Sequence, residues 1–261
     1  AALEVDVSLP DLADCYKLTA SQIRGIAREA GYISRTEQRT ITKEELLAII
    51  NRDARERIGS LATHIPVRYT WEDLEIEETE RKRLRLACDR FRMRNRIDDK
   101  YGLMKKNAYG NGVSILLYGP PGTGKTMTAQ VVAREVSLPL YRIDVSQIFS
   151  KYVGETQKNL STIFDEAAKT NVILFFDEAD ALFSKRTEIK DSNDRYANAE
   201  TAFLLQKVEE YSGMTILATN LFQNFDRAYV RRITYTIKLD NPDATVRRRL
   251  WESVLPKEIR F

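Results

Sequence analysis

Histidine occurs once in this chain, at His64, and cysteine twice, at Cys15 and Cys88, among 261 residues. The two thiols lie far apart and have no metal-ligand spacing, so a zinc site is not expected. So few thiols fit a reducing, cytoplasmic compartment. No apolar run approaches the ~18 residues of a membrane span, and no charged-then-apolar leader opens the chain. Membrane insertion is therefore not expected. The net charge of +3 is too small to argue by itself for a nucleic-acid partner. The first residue is Ala1, not Met, which suggests an excised or processed piece. What remains is 43% hydrophobic and 30% charged, the composition of a globular protein long enough for one large domain, or for one domain with a smaller appendage.

Three regions read differently along the chain. Residues 1–57 are helix-like. In LTASQIRGIAREAGY, Thr19 and Gln22 have capping-box spacing, Ile23, Ile26, Ala27 and Ala30 share a face, and Gly31 suits the C-terminal end. ITKEELLAIIN repeats the pattern, with Thr42 and Glu45 ahead of Leu46, Leu47, Ile49 and Ile50. Residues 58–76 hold no sustained period and contain Gly59 and Pro66; they read as a linker. From residue 77 a helical run to about Ile97 packs through Leu84, Cys88 and Phe91. After residue 113 come VSILLY, LYRID, VILFFD, TILAT and ITYTIKL, separated by helix-length segments. Near-continuous apolar strands of that kind predict a parallel sheet covered on both faces, an α/β fold.

The first of these strands runs into GPPGTGKT, residues 119–126, and then into an amphipathic helix. This is GxxxxGK[ST] in its required strand–helix context. Gly119, Gly122 and Gly124 permit a tight loop whose amides face phosphate oxygens, with Pro120, Pro121, Thr123 and Met127 completing the turn. Lys125 is placed to reach the β- and γ-phosphates, and Thr126 to ligate Mg²⁺. ATP and Mg²⁺ are the expected cofactors. In NVILFFDEADALF a buried strand ends on two carboxylates. Asp177 is placed to hold Mg²⁺ through its water shell, and Glu178 to accept a proton from the attacking water. Hydrolysis is implied, beyond binding.

With GPPGTGKT, FFDEADALFSKR, ILATN and a following RR pair in this order, the chain resembles the AAA+ ATPases over about residues 70–261. The resemblance implies a P-loop core with a five-stranded parallel sheet of order 5-1-4-3-2, a helical lid, and a ring, usually of six subunits. It makes Asn220 a sensor that orients water. Arg231 and Arg232 stand where the family's arginine fingers act on a neighbouring subunit's nucleotide, and which of the two reaches across stays open. Leu74 and Ile76 match the contacts that hold adenine. Tyr152-Val153-Gly154, with Lys151 before it, resembles the pore loop that grips a polypeptide, and residues 187–195 are placed for a second such loop.

Within that resemblance the chain ends before the lid that would follow residue 261, whereas residues 1–57 resemble a lid, with Arg24 near its sensor position. The expected organisation is a piece of a bacterial tandem-module ATPase: an upstream lid at 1–57, a linker at 58–76 and a nucleotide-binding core at 77–261. A separate helical adaptor at 1–57 is the alternative. RKRLRLACDRFRMRNR, residues 81–96, carries eight basic residues and one acidic. It reads as a solvated face or a contact with an acidic neighbouring subunit, and less readily as a nucleic-acid arm, because only Phe91 offers a stacking ring. The expected function is ring-based remodelling, unfolding or threading of a protein substrate. A nucleic-acid-remodelling machine and a nucleotide-gated scaffold with little hydrolysis are the alternatives.

Overall fold

Thr19 and Thr42 each open a helix as their spacing predicts. The structure, a computed structural model, describes residues 9–16, 18–58, 62–101, 112–144, 148, 155–179, 192–224 and 227–254. Helix α1 spans Leu9–Cys15, α2 Ala20–Glu37 and α3 Lys43–Ile58. At the head of α2 the Thr19 amide donates to Gln22 Oε1 at 2.8 Å, and the Gln22 amide to Thr19 Oγ1 at 3.4 Å. At the head of α3 the Thr42 amide donates to Glu45 Oε2 at 3.0 Å, and the Glu45 amide to Thr42 Oγ1 at 3.2 Å. Such caps satisfy otherwise orphaned amides and are worth ~0.5–2 kcal/mol each. Helix α2 does not stop at Gly31, which is buried inside it. It ends instead at Gln38, whose left-handed backbone (φ 51°) lets its amide bond Ser34 O. Of the face expected to be buried, Ala30 is buried and Ile26 partly so, whereas Ile23 and Ala27 are exposed; Gly31 is covered as well.

The segment expected as a linker supplies a strand. β1, Ala62–Ile65, pairs antiparallel with β3, Leu140–Ile143, placing His64 opposite Tyr141 with ring centroids 5.4 Å apart. Four residues whose partner lies far downstream leave no local period to read. The other strands are β2, Val113–Tyr118; β4, Ile173–Phe176; β5, Met214–Thr219; and β6, Tyr235–Lys238. The sheet order is β1-β3-β4-β5-β2-β6. Its five parallel members therefore follow the expected order, and the correction is a sixth, antiparallel strand at the edge.

Side chains alternate across the sheet, as strand geometry requires. Ile115, Leu117, Phe175 and Ile216 enter one core, and Leu116, Leu174, Phe176 and Leu217 the other. Helices α4, Glu78–Tyr101, and α5, Lys125–Glu135, cover the first face; α6, Glu155–Thr170, and α7, Ser192–Glu210, cover the second. Leu84, Cys88 and Phe91 of α4 are buried, as their spacing predicts. A short 3-10 turn at Phe222–Asn224, α8 at Arg227–Val230 and α9 at Ala244–Val254 complete the described elements. The N-terminal helices pack onto this core. Helix α3 lies against α6, and the Tyr16 hydroxyl donates to Ser137 O at 2.8 Å. Among the described residues no helix is long and apolar enough to cross a membrane.

Candidate active site

The carboxyl ends of β2, β5 and β4 lie side by side, and each runs into a residue singled out in the sequence. Register sets this convergence: Tyr118 pairs with Thr219, and Leu217 with Phe176. Gly119, Asn220 and Asp177 therefore leave adjacent strands at the same edge. In open α/β sheets that edge is where ligands bind.

The phosphate loop begins at Gly119, whose amide donates to Thr219 O at 3.3 Å. A Cβ at Gly119 would fall 1.9 Å from Leu239 O, so no other residue fits there. Gly122 (φ 81°) and Gly124 (φ 89°) hold backbone conformations that L side chains rarely adopt, and Gly124 caps α5. The buried Lys125 ammonium donates to Gly119 O and Pro120 O, both at 2.8 Å. Thr123 Oγ1 donates to Pro120 O at 2.9 Å. The loop thus curls around its own lysine at the N-terminus of α5, where free amides and the helix dipole favour an anion.

Asp177 is half-buried and accepts the Glu178 amide at 3.1 Å, while the Ala179 amide bonds Ala218 O at 2.8 Å. Between these ties Glu178 sits at φ 53°, unusual for a non-glycine residue, and its side chain is exposed. Strain of this kind, of order 1–3 kcal/mol, clusters at functional sites. Asn220 is exposed immediately after the buried Thr219, whose hydroxyl accepts the Leu221 amide at 3.0 Å. The ring of Phe222 stacks on Tyr118 at 4.0 Å, holding the Asn220 turn beside the phosphate loop.

A cleft of about 850 Å³ lies next to the loop, lined by Ile76, Leu239, Pro242 and Val246 and by charged groups including Arg81, Lys238 and Asp240. Ile76 is therefore available to a base. Leu74 is not, because its side chain is 2% exposed and packs in the core. The two side chains thus differ in what they present: Leu74 is buried in the first core, and Ile76 is only partly buried against it.

The basic helix keeps Lys82, Arg83, Arg85, Arg90 and Arg92 exposed, as the reading of a solvated face expects, and some of its arginines also hold their own chain. Arg81 donates to Trp71 O at 2.8 Å and also to Leu74 O. Arg85 stands over the Trp71 ring at 5.2 Å, and Arg92 pairs with Glu135 at 2.8 Å. Trp71 Nε1 donates to Glu135 Oε2 at 2.6 Å, tying the base-side segment to the far end of α5. Arg81, Arg85 and Arg92 thus each make a contact within their own chain. The four-residue step from Arg81 to Arg85, just after WEDLEI, was the available signal.

Arg231 and Arg232 are not brought to this edge. They form the turn between α8 and β6, beside the N-terminal end of β2, where Tyr235 pairs with Ile115. The six residues of β2 rise ~3.3 Å each, which separates the arginines from the phosphate loop by about 20 Å. Arg232 pairs with Glu209 of α7 at 3.3 Å, whereas Arg231 is exposed and has no ion-pair partner among the described residues. Lys151, Tyr152, Val153 and Gly154 lie outside the described residues, as do residues 187–191; α7 begins at Ser192.

A parallel sheet with a glycine-rich phosphate loop, an acidic strand end and a polar sensor position at one edge defines a P-loop nucleoside-triphosphatase domain. Residues 115–241 match the family model described as "ATPase family associated with various cellular activities (AAA)". Residues 115–241 thus carry an AAA ATPase domain. The chain is 36% identical over 132 residues to an uncharacterized AAA family ATPase, y4kL, of Sinorhizobium fredii, covering 51% of this chain and 40% of that protein. It is also 36% identical over 143 residues to proteasome-activating nucleotidase 2 of Haloferax volcanii, covering 52% of this chain and 35% of that protein. The crystal structure of the FIGL-1 AAA domain in complex with ADP superimposes with a TM-score of 0.55 at 26% identity, over 75% of this chain and 63% of that one. The chain spans well under half the length of these curated relatives.

Proposed function

We propose that this chain hydrolyses ATP with Mg²⁺ in a ring of like subunits, usually six in this family, and that the ring remodels, unfolds or threads protein substrates. The observation that carries the reading is the split geometry: phosphate loop, Asp177, Glu178 and Asn220 at one sheet edge, and the arginine pair about 20 Å away at the other. In one chain that arrangement leaves the developing γ-phosphoryl charge without an arginine; in a ring the adjacent copy supplies it.

The donor set suits Mg²⁺. One hydroxyl, Thr126, and one carboxylate, Asp177, are hard oxygens, and among the described residues no three His, Cys, Asp or Glu cluster. Thr126 and Asp177 would hold the ion, which would supply positive charge against the phosphate oxygens. Lys125 exchanges its two loop carbonyls for phosphate oxygens. Glu178 accepts a proton from the attacking water, and Asn220 orients that water. Ile76 packs on the base. Tyr152-Val153-Gly154 would grip an extended polypeptide, a rigid amphipathic ring being suited to hold chain without reading sequence. The Haloferax relative, named for activating the proteasome, supports a protein substrate. Residues 1–57 would be the lid of an upstream module, seated on α6 of this core.

The test is a Glu178→Gln variant, expected to bind ATP with near-normal affinity while turnover falls by at least ~10²-fold. Undiminished hydrolysis would remove Glu178 from the mechanism.

A further inference from the structure

Asn220 is exposed, so packing around its own side chain does little to place it. The residues on either side of it are tied instead, and both ties run to the start of the phosphate loop. Before it, the buried Thr219 accepts the Gly119 amide on its carbonyl at 3.3 Å and the Leu221 amide on its hydroxyl at 3.0 Å. After it, the chain folds back through the 3-10 turn at Phe222–Asn224. There the Phe222 ring lies over the ring of Tyr118, the residue just before Gly119, with centroids 4.0 Å apart and planes 20° apart. Phe222 is half-buried between the exposed Leu221 and Gln223, and it also packs against the second core.

Resting on the reading of Asn220 as the group that orients the attacking water, we infer that Phe222 is a positioning residue for hydrolysis. Its stack on Tyr118 sets how far the Asn220 amide stands from the phosphate loop. The two rings are not equally dependent on each other. Tyr118 is paired with Thr219 of β5 on one side and Lys238 of β6 on the other, and its carbonyl accepts the Leu239 amide at 2.8 Å. It keeps its place without the stack. Phe222 belongs to a turn that has left the sheet, so loss of the stack moves the turn and not the loop. The bond from Gly119 to Thr219 acts only on the near side of Asn220. On the far side two residues, a span of up to about 7 Å, lead to the next anchor, which is the Phe222 ring. Water placed for attack tolerates little movement of the group that orients it; a shift of ~1 Å costs up to ~10²-fold in rate. ATP binding rests on the loop amides and Lys125 and is left alone.

The experiment measures kcat, KM and directly titrated ATP affinity for Phe222→Ala, Phe222→Tyr, Asn220→Ala and the Phe222→Ala/Asn220→Ala double variant. Phe222→Ala is expected to lose ~10-fold in kcat, with ATP affinity within about twofold of wild type. Phe222→Tyr keeps the ring and should stay within about twofold of wild type in both. Asn220→Ala should lose at least as much kcat as Phe222→Ala. The double variant should be no slower than Asn220→Ala alone, because both changes act through one amide. Phe222→Leu, which keeps apolar bulk but cannot stack, carries the same expectation should Phe222→Ala not fold. ATP affinity falling in step with kcat, or Phe222→Tyr as slow as Phe222→Ala, would mean general loosening of the site and overturn the positioning role. Wild-type kcat in Phe222→Ala or Phe222→Leu, or additive losses in the double variant, beside a slowed Asn220→Ala, would overturn it as well. A wild-type rate in Asn220→Ala would instead remove the reading of Asn220, and the proposal with it.

Discussion

Replacing Gly119 and Gly122 by alanine separates two reasons for glycine in one loop. Both have positive φ, 153° and 81°, so either alanine carries a backbone penalty of about 1–2 kcal/mol. At Gly122 nothing lies within 4 Å of the added Cβ, and that penalty is the whole effect. At Gly119 the Cβ would sit 1.9 Å from Leu239 O and 2.9 Å from Leu239 C. Leu239 cannot yield, since its side chain is buried and its amide is bonded to Tyr118 O at 2.8 Å. Forcing an extra carbon against packed backbone adds about 1–3 kcal/mol. With a denaturant slope of ~2–3 kcal/mol/M, Gly119→Ala should unfold at about 0.3–1.5 M less urea than Gly122→Ala. It should also lose ~10²-fold in turnover, because its loop must shift by about an ångström. Equal urea midpoints for the two variants would refute the close-approach argument.

Two further outcomes bear on parts of the chain away from the nucleotide. Burial pushes the Cys88 thiol up to about 12, with the nearby Glu135 carboxylate adding to it. The fold thus favours the neutral thiol; this contribution is complete below the ordinary value of 9.0 and is lost as pH rises from there towards 12. A Cys88→Ala chain should show a flatter decline in stability over that window, and native Cys88 should resist thiol reagents at pH 8; rapid labelling without unfolding would contradict this. Tyr16→Phe removes the hydrogen bond to Ser137 O and should cost about 0.5–1.5 kcal/mol, read by urea unfolding, if the N-terminal helices are docked as described.

What could be read from sequence was what local chemistry dictates. The strand–loop–helix around GPPGTGKT, both capping boxes and the buried stripe of α4 each have their cause within a dozen residues. What could not be read depends on a distant partner. The strand Ala62–Ile65 exists because β3 offers an edge. Gly31 is not a helix end, because α3 packs beside α2 and a left-handed Gln38 serves as the cap. The basic stripe is solvated as its composition suggests, but its contacts with the carbonyls of Trp71 and Leu74 and the carboxylate of Glu135 could not be read, because those acceptors carry no recognisable pattern. Arg231 and Arg232 were visible as a pair, but the contact of Arg232 with Glu209, more than twenty positions earlier, was not.

The strand order also has a consequence for synthesis. β2, which leads into the phosphate loop, pairs only with β5 and β6 among the described strands. Both are made about a hundred residues later, or ~5–20 s at ordinary rates of translation. Until then the helices at residues 9–58 can form on their own local signals, while β2 waits without a neighbour. High contact order of this kind slows folding and leaves an apolar strand uncovered on the ribosome. The nucleotide pocket is therefore among the last features to form, and a newly made chain that holds ATP has already completed its sheet.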